Sequence, residues 1–130
     1  MGTKKLTLKI LPEKFAICHF DKKTQIPEWV IGETSFTSIT RGNDELSIIC
    51  PQDKVPGGVL CEKNWRVLKV KGPLGFELTG IVASLARPLA QAKISILYVS
   101  TYETDYLLVE EENFRKAKRI LAKFCKIEKL

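Results

Sequence analysis

Apolar and polar positions follow two different periods along the chain, and the switch between them is cleanest in the C-terminal half. An alternating stretch predicts a strand over Trp65–Lys71, followed by the loop "GPLGFEL" and a helix over "TGIVASLARPLAQAK". Two further strands, Ile94–Ser100 and Asp105–Val109, flank the polar turn within "STYETD"; a second helix and a short final strand near Cys125–Leu130 complete a β-α-β-β-α-β order. The first helix carries Ile81, Val82, Leu85, Leu89 and Ala92 at helical spacing, and the second carries Phe114, Ala117, Ile120, Leu121 and Phe124. Each helix therefore has one apolar face for a sheet. Pro88 removes a backbone hydrogen bond to Ser84 and predicts a bend or an altered last turn. Glu110, Glu111 and Glu112 read as helix-start residues, with Glu111–Arg115 and Glu112–Lys116 as i,i+4 pairs.

The N-terminal half is less regular. Sliding the sequence by 61 positions (101 − 40) aligns Pro12 with Pro73, Phe15 with Phe76, Thr40 with Thr101, Asp44 with Asp105 and Leu46 with Leu107. The strands "LTLKI", "FTSIT" and "ELSII" then fall on "VLKVK", "LYVST" and "YLLVE". Pro27 leaves space for only a short helix or a single turn after His19, and "PQDKVPGGV" reads as a brief helical turn and a linker. Two related units are expected: a trimmed N-terminal one over residues 1–63 and a complete one over 64–130.

A right-handed crossover makes the Trp65 strand parallel to the Ile94 strand, with the Asp105 strand antiparallel between them. The loop leaving the first strand and the turn joining the next two then share one end of the sheet. The helix start at Thr79 and Gly80 offers unpaired N–H groups suited to a carboxylate, and Asp105 suits an ammonium or guanidinium group. Phe76, Leu78 and Tyr102 would wall such a zwitterion with apolar surface. The same residues also have plain structural uses. Thr101 and Thr104 are turn-forming hydroxyls, Asp105 can cap the turn, Phe76 can belong to the core, and Glu77 can cap the helix and repel a ligand carboxylate.

The composition, 45% hydrophobic and 28% charged, is that of a globular protein. No apolar run reaches the roughly 18 residues of a membrane span, and "MGTKKLTLKI" lacks a signal-peptide apolar region. Gly2 fails as a myristoylation site because Leu6 stands where Ser or Thr is needed. These observations predict a cytoplasmic location and no membrane partner. The four cysteines, Cys18, Cys50, Cys61 and Cys125, contain no C-x-x-C pair and read as reduced, mostly buried thiols. Cys18 and His19, neighbours in a predicted strand, point to opposite faces, so no metal site is expected. The net charge of +6, concentrated near both ends, reads first as solvated faces.

The run "GPLGFELTGIVASLARPLAQAKISILYVSTYETDYLLVEE", with upstream "ELSIICPQDKVP" and "WRVLKVKG", resembles the ACT-domain family, in the branch of the CASTOR arginine sensors and small bacterial proteins of paired ACT units. Its most specific part is "STYETDYLLV". Glu77-Leu78-Thr79-Gly80 is similar to the family's acidic-x-x-Gly signature, with Glu77 where aspartate is commoner. The resemblance implies ferredoxin-like α+β units with antiparallel sheets and helices on one face, paired through sheet edges. It also implies amino-acid binding at the interface between units and regulation of another protein. The positions matching the sensors' contact motif are Thr101, Tyr102, Thr104 and Asp105. Those sensors carry four units, so a homodimer of this chain would restore the number.

Two other classes compete. A basic ferredoxin-like nucleic-acid module shares the element order, yet "VKGPLGFEL" is interrupted by Pro73 and falls after the first strand instead of on the third. An acylphosphatase would need an arginine in "GPLGFELTG", which has none, and one histidine leaves little for a catalytic triad. The reading that follows is a non-enzymatic, dimeric, allosteric amino-acid sensor without cofactor, binding through Phe76, Leu78, Thr79, Gly80, Thr101, Tyr102, Thr104 and Asp105. Its regulated partner and the identity of the amino acid are not written in the sequence.

Overall fold

A computed structural model describes residues 6–32, 35–71 and 80–130. Its elements are β1 (Leu6–Ile10), β2 (Phe15–Phe20), β3 (Ser38–Arg41), β4 (Leu46–Pro51), β5 (Cys61–Val70), α1 (Ile81–Gln91), β6 (Ile96–Ser100), β7 (Asp105–Glu110), α2 (Glu111–Leu121) and β8 (Cys125–Lys129). Contacts gather them into two units, one of Met1–Pro12 with Arg66–Leu130 and one of Glu13–Trp65.

In the first unit β7 lies between β5 and β6, as the crossover argument requires. Alternation along these strands turns Leu68, Val70, Leu107 and Val109 toward one core, where they meet Leu85 and Leu89 of α1 and Phe114, Ala117 and Leu121 of α2. Burying each such large side chain contributes about 1.5–3 kcal/mol, which holds both helices on this face. Val82 is 46% exposed, so the apolar stripe of α1 is narrower than its spacing suggested. Phe124, 37% exposed, lies beyond the end of α2, in the turn before β8.

The helix continues through Pro88 and alters its ending instead of breaking there. Ala92 closes it, Lys93 turns left-handed at φ 59°, and the N–H groups of Lys93 and Ile94 bond back to Ala90 and Leu89, both at 2.9 Å. This is the Schellman pattern, with lysine where glycine is usual.

The placement of the N-terminal strand differs from the expected division at residues 63 and 64. β1 inserts between β5 and β8, antiparallel to the first with Leu8 opposite Val70 and parallel to the second with Leu8 opposite Ile127. Leu8 is fully buried there, and Lys9 Nζ pairs with Glu128 Oε1 across the ladder at 2.9 Å. Ladder bonding and burial thus group β1 with elements far along the chain.

In the second unit, β4 lies between β3 and β2, and β2 also pairs with residues 61–65 of β5. Phe15 faces Trp65 but Ile17 faces Glu62, so β5 carries an extra residue, and Asn64 takes φ 65° beside this bulge. Gln52 grips Asn64 twice, accepting from its N–H at 2.6 Å and donating to its Oδ1 at 3.2 Å. Where the other unit has a long first helix, this one has turns over Pro27–Ile31, and Val30 reaches the core of Ala16, Cys18, Leu46, Ile48 and Cys50. The predicted helical turn is the 3-10 segment Gln52–Lys54. None of the four cysteines forms a disulfide.

The internal repeat is real as a hairpin but its register is corrected. Arg41 faces Leu46 as Ser100 faces Asp105, and the Gly42 N–H bonds to Glu45 O as the Thr101 N–H bonds to Thr104 O, an offset of 59 (100 − 41). The strand beside β4 that takes the place of β5 is β2, not β1. Offsets of 59 and 61 differ by two, the strand period, so both preserve which residues face inward.

Candidate functional site

The turn between β6 and β7 is built by threonines. Thr101 N–H donates to Thr104 O at 2.7 Å, Thr101 Oγ1 donates to the same carbonyl at 3.0 Å, and Thr104 N–H reaches back to Thr101 Oγ1 at 3.3 Å. One hydroxyl thereby closes the turn from both sides. The Thr104 hydroxyl, only 5% exposed as a residue, donates to the carbonyl of Val70. Val70 is the last residue of β5, so the turn is tied to the point where the chain leaves for α1.

Asp105 opens β7 on the same face as Leu107 and Val109, which is the face covered by the helices. Ser100 is its direct cross-strand neighbour, and Tyr98, two residues back on that face, is its diagonal one. Tyr98 Oη donates to Asp105 Oδ2 at 2.7 Å. Burial pushes the Tyr98 phenol above its ordinary value, and the hydrogen bond to Asp105 and its charge push further the same way. The phenol thus remains a donor at neutral pH. Among the described residues Asp105 accepts a side-chain hydrogen bond through Oδ2 alone, and a second carboxylate oxygen is a further acceptor.

Of the predicted residues, Thr101, Thr104 and Asp105 come together in this turn. Tyr102 stands at its tip, 81% exposed. Gly80 precedes α1 with φ 78°, a left-handed conformation that favours glycine, and its carbonyl accepts from Ser84 N–H at 2.8 Å. Phe76, Leu78 and Thr79 lie outside the described residues, as does Glu77. Tyr98 was not among the candidates: alternation puts it on one face with Ile96 and Ser100, but only the strand register brings that face to Asp105.

A family model described as the ACT domain matches residues 60–123, and a second, described as an N-terminal domain, matches 13–58. Residues 60–123 are an ACT domain. The cytosolic arginine sensor for mTORC1 subunit 1 of Homo sapiens is 40% identical to this ACT protein over 75 residues, 54% of the chain and 23% of the sensor. The chain therefore matches less than a quarter of such curated relatives. The crystal structure of protein Atu0741 from Agrobacterium tumefaciens is similar at 38% identity and a TM-score of 0.88, covering 98% of this chain and 94% of that one. An aspartate kinase from Clostridium acetobutylicum shares the fold, with a TM-score of 0.63 at 16% identity over 90% of this chain and 34% of the kinase. Among the described residues no helix is long and apolar enough to cross a membrane.

Proposed function

We propose that this ACT protein is a non-enzymatic sensor that binds a small amino acid at an interface between ACT units and thereby regulates another protein. The observation that carries the reading is the Asp105 carboxylate beside the β6–β7 turn, oriented by Tyr98 through Oδ2. It suits the α-ammonium group of an amino acid or a cationic side chain, arginine or lysine among them. Thr101 and Thr104 fix the backbone that presents it, Tyr102 borders it, and the Gly80 end of α1 with Phe76, Leu78 and Thr79 would receive the carboxylate and apolar parts.

The 40% identity to an arginine sensor supports this assignment, as does that relative's description as cytosolic for a cytoplasmic setting. Binding would act by favouring one packing of units over another, within a chain or across a homodimer, since only differential affinity shifts an equilibrium.

Thermal-shift screening of the standard amino acids against wild type and Asp105→Ala tests the proposal. One amino acid, or a chemically related few, should raise the wild-type melting temperature and leave that of the variant unmoved. Equal responses of both proteins, or none from wild type with any amino acid, would refute it.

A further inference from the structure

Three of the four cysteines gather in the second unit. Cys18 and Cys50 belong to its small core with Ala16, Leu46 and Ile48, and Cys61 packs against that core. Cys18 of β2 stands directly opposite Cys61 of β5, while Cys50 of β4 faces Ala16, one diagonal step from Cys18. The His19 N–H donates to Leu60 O at 2.9 Å, which makes those two a hydrogen-bonded pair. Cys18 and Cys61, the next pair along the ladder, are therefore a non-hydrogen-bonded pair, the kind whose side chains approach most closely, with Cα atoms about 4.5 Å apart. That spacing lies inside the roughly 4.4–6.8 Å that a disulfide spans, whereas diagonal neighbours stand about 7–8 Å apart.

Access separates the sulfurs. Cys61 is partly exposed, while Cys18 and Cys50 are each 1% exposed, so a reagent from solvent meets Cys61 first. Burial, and then Cys50 and Cys61 beside it, push the Cys18 thiol up to about 12. Cys18 thus stays protonated and does not open the reaction, and the reduced pair has no stabilised thiolate there to oppose a bridge. Masking Cys61 removes one of the neighbours that hold the Cys18 proton.

We propose that Cys18 and Cys61 form a reversible disulfide by exchange with small disulfides of the glutathione type, with Cys61 as the point of entry. The Cys61 thiolate attacks one sulfur of the small disulfide; that S–S bond breaks, and the departing thiolate takes up the proton that Cys61 lost. The Cys18 sulfur then attacks the Cys61 sulfur of the mixed disulfide, and the second small thiolate leaves with the Cys18 proton. Two protein thiols are oxidised, and one small disulfide becomes two small thiols. The bridge ties β2 to the first residue of β5. In reducing surroundings such a bridge is transient and reports oxidative load.

Incubating the folded full chain with glutathione disulfide, quenching with acid and mapping unreduced peptides by mass spectrometry tests the site. Wild type should yield the linked Cys18–Cys61 peptide, lose two of its four titratable thiols, and recover both with dithiothreitol. Cys18→Ala should stop at a glutathione adduct on Cys61. Cys61→Ser should form neither adduct nor bridge at Cys18 and Cys50, with an unchanged circular dichroism spectrum, which keeps the test independent of how the buried Cys18 position tolerates substitution. Cys50→Ala should bridge as wild type does. A Cys18–Cys50 bridge, a wild-type adduct on Cys61 that never closes, or four thiols untouched by glutathione disulfide would overturn the proposal.

Discussion

Tyr98 and Asp105 illustrate how one side chain sets the behaviour of another. A carboxylate at a turn can rotate toward solvent; with a phenol donating to one oxygen at 2.7 Å, its orientation is held. Tyr98→Phe should lower stability by about 1.5–3 kcal/mol in urea denaturation, the usual scale for a hydrogen bond to a charged group. Because the phenol value is raised in the folded state, its contribution is complete below the ordinary value of 10.0 and is lost as pH climbs above it. Ultraviolet titration should therefore show a late-ionising tyrosine in wild type that vanishes in Tyr98→Phe. Thr104→Val should cost a similar amount, roughly 1–2 kcal/mol, since it leaves the Val70 carbonyl without that donor. Asp105 and the turn threonines were legible in the sequence because turn chemistry is local. Tyr98 was not, because its partnership depends on strand register.

At the scale of elements, the helices show what propensity and pattern do and do not decide. Pro88 near the end of α1 is tolerated because the helix stops four residues later in a capped turn that bonds its final carbonyls. That cap puts Lys93 at φ 59°, where a β-carbon is strained. Lys93→Gly should raise stability by about 0.5–1 kcal/mol, read as a higher urea midpoint at unchanged slope, because the relief of strain exceeds the added unfolded-chain entropy. A fall in the midpoint would mean that the lysine side chain holds the turn. Periodicity located both helices but overstated their buried faces at Val82 and Phe124, since spacing alone does not say where a helix ends or what covers its flank. The expected Glu111–Arg115 pair gave way to Arg66, a residue of another element that only packing brings near.

On the scale of the whole molecule, the parallel pairing of β1 with β8 joins the two ends of the described chain. Glu128 sits at this seam, taking Lys9 at 2.9 Å and Lys126 at 3.0 Å. Those hydrogen bonds, Lys9 first, hold its carboxyl down at about 2 from an ordinary 4.5. A depressed carboxylate contributes stability above its unfolded value and loses it as pH falls through the folded one, so the loss belongs between about pH 4.5 and 2. Glu128→Gln should flatten the acid limb of the melting-temperature profile in that window. An unchanged profile would show that the seam depends on its ladder and on Leu8 alone.

The sequence by itself determined the element order of the C-terminal unit, the central position of β7, the trimmed character of the N-terminal unit, and the turn that presents Asp105. These are properties of period, handedness and turn chemistry, which act over a few residues or follow from connectivity. Tertiary structure decided where β1 pairs, which of two offsets relates the hairpins, that Tyr98 orients Asp105, and that Glu111 pairs with Arg66. Each of these is a choice among partners that local pattern leaves equally acceptable, and it is resolved by which arrangement buries Leu8 and satisfies backbone and charge together.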